Sequence, residues 1–251
     1  MEQPTQEVLF ASSDGILSAC RTLTQDDADP FGRLRLRALL RMIQESSCAH
    51  TALLGVGQET LRARGAFWAL SRMRVTIDRL PKIGETVRLS TWPGDTAHTV
   101  FPRFYRLCGE NGETLLAGAA LWLLMDEASR RMALPGPLGV RVDGVQTGCE
   151  PPLPGPLHCA ELPEAAARTA RYSQIDQNGH MNNTCYPDWL DDLFSPGHHA
   201  AHVWRDVQIN YQTEIPCGAT VALHADLSKN PCPIYGCMGD QIAFSACVRY
   251  E

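Results

Sequence analysis

Residues 175–183 read IDQNGHMNN: an acid, a histidine, a glycine and three asparagines within nine positions. The chemistry that suits this set is attack of water on a carbonyl. His180 can move protons near neutral pH or hydrogen-bond to developing charge. Asn178 can hold a water or donate to an oxyanion. If a helix follows, its first turn, near Asn183, offers backbone N–H groups and a positive dipole end to polarise a carbonyl. Asp176 and, further along the chain, Glu214 can activate water, or one of them can act as the nucleophile. The bland alternative is a buried polar turn whose side chains satisfy only one another.

The elements around this stretch help to choose. The chain has 251 residues, room for one large domain or two ordinary ones. DPFGRLRLRALLRMIQESSCAHTALLG (29–55) has helical periodicity from Leu34 onward, with Gly55 placed as a C-cap. WALSRMRVTIDRLPKIGETVRLSTWPG (68–94) alternates as two strands about a turn, and TVFPRFYRLCGENGETLLAGAALWLLMD (99–126) gives two more about ENGE. The same order returns later: a turn and helix over 176–194, a strand pair over 203–227, and another over 234–250. A segment rich in Pro and Gly, 134–159, separates the halves. A long helix followed by a curved antiparallel meander, present twice, predicts an α+β tandem (double) hot-dog fold. The expected boundaries are 1–148 for an N-terminal hot dog, 149–164 for the linker and 165–251 for a C-terminal, catalytic hot dog.

The duplication supplies an internal control. DPFGR (29–33) aligns with DQNGH (176–180), and both precede a helix. The shared Asp and Gly have a structural explanation, because Asp caps local amides and Gly supplies a positive-φ turn. Phe31 and Arg33 stand where the second copy has Asn178 and His180. Aligning the prolines of the two strand turns with a one-residue gap sets Arg79 opposite Glu214. The acid, amide, imidazole and carboxylate are therefore assembled in one copy only.

The net charge is −6, yet between Phe31 and Arg106 thirteen Lys/Arg face five Asp/Glu. A basic stripe on an acidic chain can steer an acidic partner, whereas nucleic-acid binding would call for a basic total. No apolar run is long enough to span a bilayer. The start, MEQPTQEVLF, lacks the basic and apolar regions of an export signal, so a cytoplasmic location is expected. Ten scattered cysteines with no C-x-x-C read as reduced thiols. Cys232 and Cys237 with nearby histidines fit no usual zinc template, and neither a metal nor a cofactor is expected.

YSQIDQNGHMNNTCYPDWL (172–190), LLRMIQESSCAHTALLG (39–55), WALSRMRVTIDRLPKIGETVRLSTWP (68–93) and LWLLMDEASRR (121–131) resemble the acyl-ACP thioesterase family of plant plastids and bacteria. The resemblance implies a tandem hot-dog fold and hydrolysis of the thioester between a fatty acyl chain and acyl carrier protein. By matching position it implies Asp176, Asn178, His180 and Glu214 as the catalytic set. The plant enzymes have a cysteine directly after the strand acid. Here that position is Ile215, and neither Cys217 nor Cys185 matches it, which disfavours a cysteine nucleophile.

The resemblance further implies an acyl tail housed in the first hot dog, with Phe67, Trp68, Met73 and Trp122 as candidate walls. It implies docking of acidic, phosphopantetheine-bearing acyl carrier protein on a surface drawn from Arg33, Arg35, Arg37 and Arg41, with Arg62, Arg64, Arg72 and Arg74 as further candidates. The alternatives are an acyl-CoA thioesterase and a non-hydrolytic acyl-binding module; a homodimer is left open.

Overall fold

The computed structural model describes residues 9–251 apart from Cys159. The first eight residues, part of the start that bears on location, lie outside them. The described chain forms two compact units, one of residues up to Ala69 together with Asp78–Leu153, the other of Leu70–Ile77 together with Pro154–Glu251.

In the first unit, β1 (Leu9–Ser13) and β2 (Ile16–Thr22) form a hairpin, and α1 (Leu36–Leu53) and the short α2 (Gln58–Arg62) follow. β3 (Ala66–Ile77) starts here. β4 (Thr86–Pro93), β5 (Val100–Cys108) and β6 (Thr114–Asp126) complete an antiparallel order β1-β2-β4-β5-β6. The helix buries Leu36, Leu39, Ile43, Ser47 and His50, the spacing of one face. Gly55, at φ 71°, ends it as a C-cap glycine.

In the second unit β7 (Glu164–Thr169) precedes α3 (Tyr186–Asp191) and α4 (Pro196–Ala201), followed by β8 (Trp204–Tyr211), β9 (Thr220–Ala225), β10 (Cys232–Met238) and β11 (Gln241–Tyr250). The last residues of β3 pair with β8, and β11, β10, β9 and β7 follow in that order. Met73, Val75, Val207, Ile209, Phe244, Ala246 and Val248 are buried on the strands, and Tyr186, Trp189 and Leu190 are buried on α3.

The helix of this unit differs from the expected long one. A 3₁₀ turn at Asn183–Cys185 leads into six helical residues, the turn loosens after Asp191, and Ser195 restarts the chain by capping the His198 N–H (3.2 Å). The sequence YPDWLDDLFSP explains the break. Pro187 suits a first turn, and the second proline, Pro196, removes an amide that a continuous helix would need.

The Pro/Gly-rich segment is not a free tether. Its first part seals the first unit, where Val145 N–H donates to the Pro93 carbonyl (2.9 Å) and Val140 is buried with Phe101 and Leu124. Further on, the Gly155 carbonyl accepts the buried amides of Gln208 (2.7 Å) and Asn210 (3.3 Å) on β8. Every described cysteine is free. No helix among the described residues is long and apolar enough to cross a membrane.

Candidate active site

The turn at residues 174–182 is built from backbone hydrogen bonds. Asp176 N–H donates to the His180 carbonyl (3.0 Å), Gly179 N–H to the Asp176 carbonyl (3.0 Å) and Asn182 N–H to the Gln174 carbonyl (2.8 Å). The Asp176 carboxylate accepts the Asn178 N–H (2.8 Å), an Asx turn that points residue 178 outward. Gly179 takes φ 85°, a conformation that glycine adopts without strain.

The first unit repeats this frame bond for bond. Asp29 N–H donates to the Arg33 carbonyl (2.8 Å), Gly32 N–H to the Asp29 carbonyl (3.0 Å) and Arg35 N–H to the Asp27 carbonyl (2.8 Å). The Asp29 carboxylate accepts the Phe31 N–H (2.9 Å). The shared acid and glycine thus perform the same backbone task in both units.

The side chains on that frame diverge. In the first unit Arg33 grips Asp29 (Nη2–Oδ2 2.7 Å) and lies over the Phe31 ring at 4.6 Å, closing the turn on itself. In the second, His180 turns to a neighbouring strand end and sets its Nε2 3.4 Å from Oε1 of Glu214. A bridge between His180 and Pro216 and the hydrogen bond from Met181 N–H to the Ile215 carbonyl (2.8 Å) hold Glu214 there. The His180 side chain is 19% exposed and that of Glu214 49%, so the pair lies at the edge of the core, open to water.

The hydrogen bonds also correct the alignment of the two halves. Asp78 and Arg79 N–H both donate to the Leu115 carbonyl, as Gln212 and Thr213 N–H both donate to that of Ala243. Leu34 N–H reaches the Pro81 carbonyl as Met181 N–H reaches that of Ile215. No gap is needed, and the two prolines occupy adjacent rather than equivalent positions. The counterpart of Glu214 is the buried Leu80, not Arg79. Arg79 instead binds Glu85 through both Nη atoms (2.8 Å each) and reaches Glu113 (3.3 Å). The contrast between the copies survives: one places a leucine where the other places a carboxylate.

The expected free amides at the helix start near Asn183 are largely committed. The Asn182 side chain accepts both the Thr184 N–H (2.9 Å) and hydroxyl (2.8 Å), and its carbonyl accepts the Cys185 N–H (2.9 Å). The Asn183 carbonyl accepts the Tyr211 hydroxyl (3.2 Å). Sequence reasoning assigned nothing to Tyr186, which packs edge-on against Tyr211 and Phe244. Burial, and then the nearby charges of Cys185, Glu214 and Asp176, push its hydroxyl far above the usual range, so it stays neutral beside both carboxylates. Only its place in the tertiary fold reveals it. Cys185 is buried with its Sγ toward the Gln174 carbonyl (3.8 Å), and Cys217 is exposed.

The four candidate wall residues are not brought together. Trp68 and Trp122 join one buried cluster with Phe101, Leu61 and Leu124, and the Trp68 indole donates to the Val56 carbonyl (2.9 Å). Phe67, one residue along the strand from Trp68, lies beneath the Arg130 guanidinium at 4.7 Å. Met73 falls in the second unit, opposite Ile209, because the later part of β3 pairs with β8.

The basic stripe is similarly divided. Arg33 is tied to Asp29, Arg35 to the Ala28 carbonyl (3.1 Å), and Arg41 to the buried Asp27 (3.0 Å). Arg64 donates to the carbonyls of Leu138 and Gly139. Arg74 binds Asp206 within the second unit (2.7 Å). Among the described residues, no group of three or more His, Cys, Asp or Glu side chains could hold a metal.

Two family models match the chain: the acyl-ACP thioesterase N-terminal domain over residues 22–134 and the acyl-ACP thioesterase C-terminal domain over residues 161–238. A palmitoyl-acyl carrier protein thioesterase of Arabidopsis thaliana, chloroplastic, is 23% identical over 214 residues, 79% of this chain and 52% of that protein. The chain thus spans about half the length of the first curated relatives that it matches. An acyl-ACP thioesterase structure from Bacteroides thetaiotaomicron superposes with a TM-score of 0.84 at 23% identity, covering 94% of this chain and 98% of that one. The 12:0-ACP thioesterase of Umbellularia californica gives 0.80 at 19% identity, covering 96% and 99%. These likenesses establish the tandem hot-dog fold.

Proposed function

The chain belongs to the acyl-ACP thioesterase family, and from that premise we propose that it hydrolyses fatty acyl-ACP to free fatty acid and holo-ACP with the residues gathered on the second unit's turn. The observation that carries the reading is the approach of His180 Nε2 to Glu214 Oε1 at 3.4 Å, on a frame that in the first unit holds Arg33 and Leu80 instead. The distance is longer than a strong charge-assisted hydrogen bond, as catalytic pairs often are before substrate arrives.

In this mechanism the carboxylate–imidazole pair takes a proton from water, and the water oxygen attacks the thioester carbonyl carbon. The Asn178 amide donates to the oxyanion. Asp176 acts through Asn178 by holding its backbone, and so positions rather than reacts. The tetrahedral intermediate then collapses and breaks the C–S bond. The proton taken from water passes to the departing thiolate of phosphopantetheine, leaving a fatty acid. No cysteine takes part.

Docking of acidic acyl carrier protein would draw on the residual charge of the Arg33–Arg41 stretch. Several of its arginines already hold internal partners, so the salt dependence of kcat/KM should be shallow. The test of the reading is kcat/KM for one acyl chain carried on ACP and on CoA, in the wild type and in His180→Ala. Release of fatty acid from ACP that disappears in the variant supports the proposal. Higher kcat/KM on CoA would replace the carrier, and acyl binding without turnover would make the protein a binding module.

A further inference from the structure

The interior of the first unit contains a cation for which the proposed chemistry has no use. Arg103, on β5, is 5% exposed, and no carboxylate among the described residues pairs with it. Its Nη1 donates to His50 Nδ1 (3.0 Å) and to the Thr91 hydroxyl (3.2 Å). Because arginine can only donate, His50 accepts at Nδ1 and carries its own hydrogen on Nε2. Burial first, and Arg103 second, lower the His50 pKa to about 4, so the imidazole adds no charge of its own near neutral pH.

The Cys48 thiol lies near enough to act on both Arg103 and Tyr105, and two further groups stand beside them. The Tyr105 hydroxyl meets Ser47 (3.1 Å), whose own hydroxyl donates to the Ile43 carbonyl (2.7 Å). The Trp122 indole N–H is buried, makes no close hydrogen bond, and acts on the Tyr105 hydroxyl, whose pKa burial pushes up and the indole draws down. Hydrogen-bond donors therefore outnumber acceptors: the bonds of Arg103 all run through Nη1, leaving Nε and Nη2 without a protein acceptor, and His50 Nε2 has none either. The last turn of α1 offers only a partial negative charge. A buried charge without a partner is costly, and this one asks for an anion. Directly across from Tyr105 and Arg103 on β6 stand Gly118 and Ala120, which leave little side chain beside the guanidinium. Apolar residues flank the belt, Leu89, Leu107 and Leu116 among them, and the Phe101–Trp122 cluster.

We propose that Arg103, with His50, Tyr105 and Trp122, forms a subsite in the first unit for the carboxylate of an aliphatic chain. Two sources supply that chemistry: the far end of an ω-carboxyacyl substrate, or the head of a free fatty acid. The substrate source rests on the thioesterase reading above; the fatty-acid source does not.

One arm measures kcat/KM for ω-carboxyacyl-ACP against methyl-ended acyl-ACP of equal length, in the wild type and in Arg103→Met. The other arm measures binding of a monocarboxylic acid and of its methyl ester to the same two proteins by calorimetry. A charge-assisted bond of ordinary strength predicts a preference of about tenfold to a hundredfold for the carboxylate, lost in Arg103→Met. Preference in the first arm assigns the site to substrate; preference in the second alone assigns it to free acid. Arg103→Met should keep or raise Tm, since it removes an unpaired buried charge, whereas a purely structural Arg103 would lower it. Tyr105→Phe should weaken the same preference in part. No carboxylate preference in either arm overturns the proposal. Absence of any turnover alongside charge-dependent binding would overturn the thioesterase reading and leave the subsite standing.

Discussion

Glu214→Gln separates chemistry from stability. The pair it disrupts spans 3.4 Å between a histidine 19% exposed and a glutamate 49% exposed. Water screens such a pair, and its net contribution to folding is about 0–1 kcal/mol. For a chain of this size that corresponds to a fall in Tm of no more than about 4 °C. On the proposed mechanism the same substitution breaks the carboxylate–imidazole pair that takes the proton of water, and loss of a positioned acid or base lowers the rate by roughly 10²–10⁴-fold, or about 3–5 kcal/mol. Activity should therefore collapse in a protein that melts almost as before. The assay is release of free fatty acid from acyl-ACP, quantified by chromatography, because exposed free thiols at Cys20, Cys48, Cys149 and Cys217 would react with a thiol reagent. A variant within about threefold of wild-type kcat/KM would refute the role of Glu214. A fall in Tm well beyond the stated range would show that the pair is structural.

Other outcomes follow from the same geometry. Gly179→Ala and Gly32→Ala both force alanine to a positive φ with no steric clash, so each should lower stability by about 1–2 kcal/mol in urea unfolding, while only Gly179→Ala should also lower kcat. His50 has its folded pKa lowered to about 4 from 6.5, so the folded state binds fewer protons than the unfolded state between those values. Stability should be full above about pH 6.5 and decline towards pH 4 by up to roughly 3 kcal/mol, and His50→Gln should flatten that slope in pH-dependent urea titrations. Arg74→Ala strips the partly buried Asp206 of its close partner and leaves Arg249 at 4.0 Å. It should cost about 1–2 kcal/mol, discounted because Arg74 itself is partly exposed, as read by the urea midpoint.

Much of this protein was legible in its amino-acid order. The period of Leu36 to His50 and its glycine stop define α1, because a helix must bury one face and end where the backbone can turn. The repetition of DPFGR as DQNGH reports two copies of one turn, because an Asx turn closed by a positive-φ glycine is a local device that needs no distant partner. The candidate chemistry was visible as the side chains by which the copies differ.

What the tertiary structure alone decided is which distant groups meet. Proline was a false guide to register, since Pro81 and Pro216 take neighbouring places in equivalent turns, and only the strand hydrogen bonds show that Glu214 replaces Leu80. Met73 parted from Trp68 because a twelve-residue strand serves both units, which alternation cannot reveal. The arginines from 33 to 41 read as a free basic stripe because the acids that hold two of them, Asp29 for Arg33 and Asp27 with Glu45 for Arg41, count only when folding brings them within reach. Arg103 is one more charge in the sequence; burial beside a neutral histidine, with no acid at hand, makes it a cation in need of a partner. Periodicity and turn chemistry act over a few residues and are written locally. Electrostatic pairing and desolvation depend on through-space neighbours, and these exist only once the chain has folded.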